Sequence, residues 1–404
     1  MGSSSQTNPA WSTSRASRKY LLSCMVAVIT LTLSFAALYA SSSSDDFTHL
    51  KSSRASLDRF VRRDNLGDVY NSTLGFQKIF AINLPERSDK ADTMLLQASL
   101  TNFTLDFVDG IRGENVSPKA LPLTMNQGNG SIGCWRAHLN VWKRMIQENI
   151  ETALVFEDDS DWDIGIKAQL HELAKGSRFL LETGSQTPRS PYGDGWSLLW
   201  IGHCHTDPNM TDPRRWVIPH DPTVPLAGYR SQFGGHNMTR WAEGDNPDPQ
   251  TRVVYFQDFA FCTSAYAVTR SAAQKMLYKL SMIPFSLTVD GGMGNMCKGD
   301  LHDFRCIAPY PRLIGRSTPP GSMARSSDIQ GGNESEDPVL WEALSENVMF
   351  SVRQNLQPLL NGESVFKSNF PNPSGDELTL EQITSFKGHI EYLDQPPSSL
   401  KGRE

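Results

Sequence analysis

Residues Ala153–Asp159 read Ala-Leu-Val-Phe-Glu-Asp-Asp, a short apolar stretch that runs straight into three consecutive carboxylates. An apolar run without polar alternation, following a helical segment, predicts a central parallel strand covered on both faces. In open α/β sheets such strands aim their carboxyl ends at the ligand crevice. Side chains alternate along a strand, so Glu157 and Asp159 are expected on one side and Asp158 on the other. Two hard oxygen donors on one side suit Mg²⁺ or Mn²⁺, with positions left open for phosphate. The alternative is a solvated acidic loop after a strand. Adjacent like charges repel, however, and a cation relieves them.

The 404 residues, 39% of them hydrophobic and 9% aromatic, suffice for one large core plus appendages. The net charge of -6 comes without any basic stripe, so nucleic acid is not an expected partner. Tyr20 to Ala40 carries no charge and is long enough for a membrane-spanning helix. Arg15, Arg18 and Lys19 precede it, which predicts a single-pass type II arrangement with everything after Ala40 lumenal. A cleaved signal peptide is the competing reading, since Ala36 and Ala40 both end acceptable cleavage motifs. Either way the chain enters the secretory pathway. Sequons at Asn71, Asn102, Asn115, Asn129, Asn209, Asn237 and Asn333 agree.

Cys24 falls in the apolar segment, leaving five cysteines for an oxidising lumen. Cys297 and Cys306 are close enough to close a local loop, and Cys204 and Cys262 sit in strand-like runs that can be neighbours. Cys134 is then left free. Without a C-x-x-C pair, zinc carries little weight.

Along the chain, residues 1–19 read as a cytoplasmic tail, 20–40 as the anchor, 41–76 as a Ser-rich stem, 77–325 as the catalytic domain and 326–404 as a peripheral extension. A strand over 78–84, a helix over 91–100 and a strand over 105–108 start a β-α-β pattern. A helix over 133–149 precedes the acidic strand. Further strands are expected at 196–201 and 259–268, and helices at 162–181, 270–280 and 338–360. The Pro- and Gly-rich stretch from about 207 to 248 has the character of a loop covering an active site.

Ile82-Asn83-Leu84-Pro85-Glu86-Arg87-Ser88-Asp89, then Gly133-Cys134-Trp135-Arg136-Ala137-His138, then Leu154-Val155-Phe156-Glu157-Asp158-Asp159 resemble glycosyltransferase family 25 in order and spacing. Leu198–Gly202 and Ala265–Ala273 continue the pattern, so the resemblance covers about residues 77–325, and it is nearest to members from filamentous fungi. It implies an α/β, GT-A-like fold with a Rossmann-type, mostly parallel central sheet flanked by helices. It also implies inverting transfer of a hexose, galactose first, from a UDP-sugar to a glycan or glycoprotein acceptor, assisted by Mn²⁺ or Mg²⁺ in the Golgi or endoplasmic reticulum. Where the family often has Ser, this chain has Ala137.

The resemblance assigns Asn83, Arg87, His138 and Asp158 to nucleotide-sugar binding, and a guanidinium fork suits phosphate oxygens. Glu157 and Asp159 would hold the metal, which stabilises charge on the departing diphosphate. Asp290, before two glycines, is the candidate general base, because an inverting transfer needs a carboxylate to take the acceptor's proton. Each has a structural alternative: a loop closed by Asn and Arg, a core histidine, a turn aspartate. Two other functions compete with transfer. One is a catalytically silent lumenal binding or chaperone module. The other is a glycoside hydrolase, which needs two carboxylates but neither metal nor nucleotide.

Overall fold

The computed structural model describes residues 64–394, apart from 185, 231–233, 301–302, 323–326 and 330–337. The tail, the 20–40 anchor, most of the stem and Asn333 therefore lie outside the described residues. Among those described, no helix is long and apolar enough to cross a membrane.

The described residues begin at Asp64. Val69, Leu74 and Phe76, read above as stem, are buried, and Phe76 stacks on Tyr192 at 4.5 Å. Then follow β1 (Lys78–Asn83), α1 (Ser88–Leu100), β2 (Asp106–Asp109), α2 (Asn129–Gln147), β3 (Thr152–Glu157), β4 (Ser160–Trp162) and α3 (Ile166–Leu180). The second half holds β5 (Leu198–Leu199), β6 (His205–Pro208), β7 (Arg214–Ile218), β8 (Arg252–Phe261), β9 (Ala265–Thr269), α4 (Arg270–Leu277), α5 (Val289–Asn295), β10 (Cys306–Tyr310) and β11 (Ile314–Thr318).

The ten-stranded sheet runs from the C-terminal strand His389–Tyr392 through β7, β8, β10, β5, β9, β3 and β1 to β2, with β6 on β8. Three ladders are parallel: β1 with β2, β1 with β3, and β5 with β10. The remaining ladders are antiparallel. Followed across the sheet, those ladders point β1, β2, β3, β5, β6, β7 and β10 one way and β8, β9 and His389–Tyr392 the other. The sheet is thus mostly parallel by strand direction but mixed by pairing.

Alternation along the strands builds two cores. Ile79, Ala81, Leu154 and Phe156 face Met94 and Ala98 of α1 and Leu170 and Leu173 of α3. Phe80, Ile82, Ala153 and Val155 face Trp135 and Trp142 of α2, Met276 of α4 and Met293 of α5. Each fully buried Leu or Phe contributes about 1.5–3 kcal/mol, so a sheet sandwiched in this way fixes β1 and β3 firmly.

Several expectations need correction. The run 259–268 is two strands, broken where Cys262 turns at φ 65°. No described residue of the 207–248 stretch lines the pocket at the strand ends, and the stretch supplies β7 to the sheet. The 338–360 helix does not form: Val339–Leu340 and Leu344–Ser345 are strands and only Leu356–Asn361 is helical. Nor is the extension after 325 peripheral. Met349, Phe350, Val352, Ile383 and Phe386 are buried, Leu344–Ser345 pairs with β11, and β11 pairs with β4.

Candidate functional site

Strands β3, β1 and β2 end side by side, with Ile82 opposite Glu157 and Asn83 opposite Asp109. Their carboxyl ends open onto a pocket of about 280 Å³. Its walls are the loop 110–114, the start of α2 from Asn129 to His138, the acids Glu157–Asp159, and residues 327–329. Loop and helix touch through their backbones. A Cβ on Gly113 would lie 1.9 Å from the Asn129 carbonyl oxygen, and one on Gly133 2.2 Å from that of Ile111, so both positions require glycine.

β3 stops at Glu157, Asp158 and Asp159 form a turn, and β4 starts at Ser160. The expected alternation therefore ends at Glu157, and all three acids line the pocket. Thr263 Oγ1 donates to Glu157 Oε1 at 2.6 Å, and His138 Nε2 lies 3.3 Å from the same oxygen. Trp142 Nε1 donates to the Tyr266 hydroxyl, which is 3.0 Å from His138 Nδ1. The ionised Glu157 carboxylate can only accept, so the imidazole proton sits on Nε2, aimed at it, and the Tyr266 hydroxyl gives its proton to Nδ1. Burial opposes the charge on Glu157, but the bonds from His138 and Thr263 hold its carboxyl below the usual value. Asp159 behaves oppositely: burial, reinforced by the Glu157 charge, pushes it up to about 7. Its Oδ1 is buried without a hydrogen-bond partner. That orphaned oxygen beside a second carboxylate fits a hard divalent cation.

Cations sit across from the acids. Lys90 Nζ donates to Asp158 Oδ1 at 2.9 Å and to Asp328 Oδ2 at 3.0 Å. Arg87 forks onto Asp89 at 3.0 and 2.9 Å and also contacts Asp328. From the C-terminal extension, Arg353 donates to the carbonyls of Asp158 and Ser160 at 3.3 and 3.1 Å.

Glu157, Asp158, Asp159 and His138 thus come together, whereas three other candidates do not line the pocket. Asn83 ends β1, and its side-chain nitrogen donates to the Leu84 carbonyl. Arg87 is engaged at the rim. Asp290 lies on α5, where its carboxylate accepts the N–H groups of Cys262 at 2.9 Å and Gly291 at 2.8 Å. The expected Gly-Gly turn is helix, with Gly291 and Gly292 buried, so it opens no entry for an acceptor.

Lys90, Asp328 and Arg353 were not foreseen. Lys90 was legible: with Met94, Gln97 and Ala98 it occupies the buried face of α1 at i, i+4, i+7 and i+8. Asp328 meets Lys90 across 238 residues, and no local pattern announces that. Both expected disulfides, Cys204–Cys262 and Cys297–Cys306, are present, and Cys134 is free.

Residues 76–187, which contain β1 to α3 and the acidic turn, match the family described as Glycosyltransferase family 25 (LPS biosynthesis protein). This chain carries a glycosyltransferase family 25 domain over that segment. Among its relatives, procollagen galactosyltransferase 2 of Homo sapiens is 32% identical over 33% of this chain and 22% of that protein. Procollagen galactosyltransferase 1-A of Xenopus laevis is 22% identical over 83% of this chain and 52% of that protein. The Bos taurus protein named "Probable inactive glycosyltransferase 25 family member 3" is 23% identical over 39% of this chain and 26% of its own length. The chain therefore spans about half the length of these family 25 relatives, or less. The matched segment supplies most of the pocket but neither Asp328 nor Arg353.

Proposed function

We propose that this chain is a glycosyltransferase that moves a hexose, galactose first, from a UDP-sugar to a glycan or glycoprotein acceptor in the secretory pathway. The observation that carries this reading is the acidic turn at the carboxyl ends of the parallel strands, with Asp159, whose Oδ1 is orphaned, and cationic Lys90 lining one pocket. The procollagen galactosyltransferase names of two relatives favour galactose and a protein acceptor. Two disulfides favour an oxidising compartment, and a type II anchor over 20–40 belongs to the same proposal.

Glu157 and Asp159 would hold Mn²⁺ or Mg²⁺, which when bound neutralises charge on a diphosphate. Lys90 and Arg87, now satisfied by Asp158, Asp89 and Asp328, are placed to exchange carboxylates for phosphate oxygens. The Tyr266 hydroxyl, held by Trp142, orients the His138 ring so that its Nε2–H donates to Glu157, which keeps the carboxylate charged and oriented. The glycine-enforced contact between the 110–114 loop and α2 gives the donor a rigid wall. Asn83 stays a candidate donor contact, and Asp290 a candidate base that would need to leave its backbone partners.

The silent-module reading draws on the relative named as inactive and on the absence of Asp290 from the residues that line the pocket. Purified full chain, incubated with a panel of nucleotide sugars and a glycoprotein acceptor with Mn²⁺, separates the two. The proposal expects one UDP-hexose to be consumed, with loss of turnover on chelation and in Asp159→Asn at unchanged melting temperature. Consumption of no donor, or full activity in Asp159→Asn, overturns it.

A further inference from the structure

We propose that Cys134, His138 and Glu157 form a three-ligand site for Zn²⁺, open to the pocket, distinct in its donor set from the hard-ion pair Glu157 and Asp159. Cys134 and His138 are one helical turn apart on α2, at i and i+4, and so share a face. Glu157 arrives from the end of β3, and a sulfur, an imidazole nitrogen and a carboxylate oxygen of the three lie within 4.8 Å of one another. The 3.3 Å between His138 Nε2 and Glu157 Oε1 matches the roughly 3.4 Å between two ligands of a tetrahedral ion at about 2.1 Å. Among the described residues no other three such groups converge.

Donor chemistry selects the metal. Thiolate and imidazole favour zinc over manganese or magnesium, which prefer oxygen. Three protein ligands leave a fourth position facing the pocket, the pattern of exchangeable rather than purely structural zinc. Tyr266 supplies the outer contact that orients a ligating imidazole. On binding, the thiol proton leaves to solvent as the Zn–S bond forms. The imidazole proton passes from Nε2 to Nδ1, where the Tyr266 oxygen turns from donor to acceptor. Because Glu157 serves both donor sets, zinc and a hard ion exclude each other. Zinc then acts as a competitor at this pocket.

Binding needs no turnover, so its test is independent of the transfer proposal. The full chain, with disulfides intact and metals stripped by chelator, is titrated with Co²⁺ and Zn²⁺. Expected are a sulfur-to-cobalt charge-transfer absorption, one tightly held Zn²⁺ per chain, and protection of Cys134 from alkylation by Zn²⁺ but not by Mg²⁺. Cys134→Ala or Cys134→Ser should remove the absorption and weaken zinc binding ~10-fold or more. Asp159→Asn should keep both. Absence of the sulfur band in the folded chain, equal zinc affinity in the cysteine variants, or alkylation unchanged by zinc overturns the site. The alkylation measurement uses the unmutated chain, so a variant that fails to fold does not protect the idea.

Discussion

Arg353, in the C-terminal extension, donates to the backbone carbonyl of Asp158 at 3.3 Å and so grips the acidic turn from behind, 195 residues away in sequence. A second bond, to the Ser160 carbonyl at 3.1 Å, fixes the far side of that turn. The hydroxyls of Ser345 and Ser351 meanwhile converge on Asp161. The metal-candidate acids are therefore positioned by residues beyond the family-matched segment.

Arg353→Met keeps the volume and removes the donors. It should lower unfolding free energy by about 1–3 kcal/mol, the scale of charge-assisted bonds left unmade. Turnover should fall further than the stability loss accounts for, because Asp158 and Asp159 lose their frame. Urea unfolding beside steady-state kinetics checks both. Unchanged kinetics with lowered stability would make Arg353 a purely structural residue.

Asp290→Asn separates the two roles open to that residue. An amide can accept only one of the N–H groups that the carboxylate now holds, from Cys262 and Gly291. A melting-temperature loss corresponding to about 1–2 kcal/mol is expected, with turnover falling in proportion. A ~100-fold fall in turnover at unchanged melting temperature would instead reinstate Asp290 as the base.

Acid should destabilise the fold through buried neutral histidines. Burial pushes His203 down to about 3, with its Nε2 donating to the Pro309 carbonyl at 2.8 Å. The unfolded chain takes up that proton near 6.5 while the folded one does not, so this stability is present above 6.5 and is lost as pH falls towards 3. His203→Gln keeps the donor and drops the titration. The decline in unfolding free energy from pH 7 to pH 5 should be about 2 kcal/mol smaller in the variant. Parallel declines in both proteins would mean that His203 is protonated when folded.

Glycans should map to exposed sequons such as Asn71, Asn102, Asn115 and Asn237, and not to Asn129, which lines the pocket mouth. Glycopeptide mapping of secreted or microsomal protein reads this directly. High occupancy at Asn129 in active protein would contradict the placement of the donor in this pocket.

The sequence announces β1 and β3 as unbroken apolar runs, buried on both faces, and α1 and α2 by their 3.6-residue period, each within a few residues. The acids announce themselves by charge at the end of an apolar run. What stayed hidden depends on distant partners. Leu344–Ser345 and His389–Tyr392 are short strands with no apolar rhythm of their own, stabilised by β11 and β7. The role of Asp328 exists only because Lys90 and Arg87 wait for it. Val289–Asn295 reads as a turn from its glycines, yet it is helical because those glycines let α5 sit tightly against Phe285 and Phe259.

The contact at Gly113 and Gly133 also bears on how such a site can drift. Where helix and loop touch main chain to main chain, the width of the gap is set by the radii of peptide atoms and cannot be tuned by exchanging one side chain for another. Variation among descendants of this chain is then channelled to the mouth and the rim, where residues 327–329 and the start of α2 present replaceable groups, while the spacing of the inner cleft is inherited unchanged.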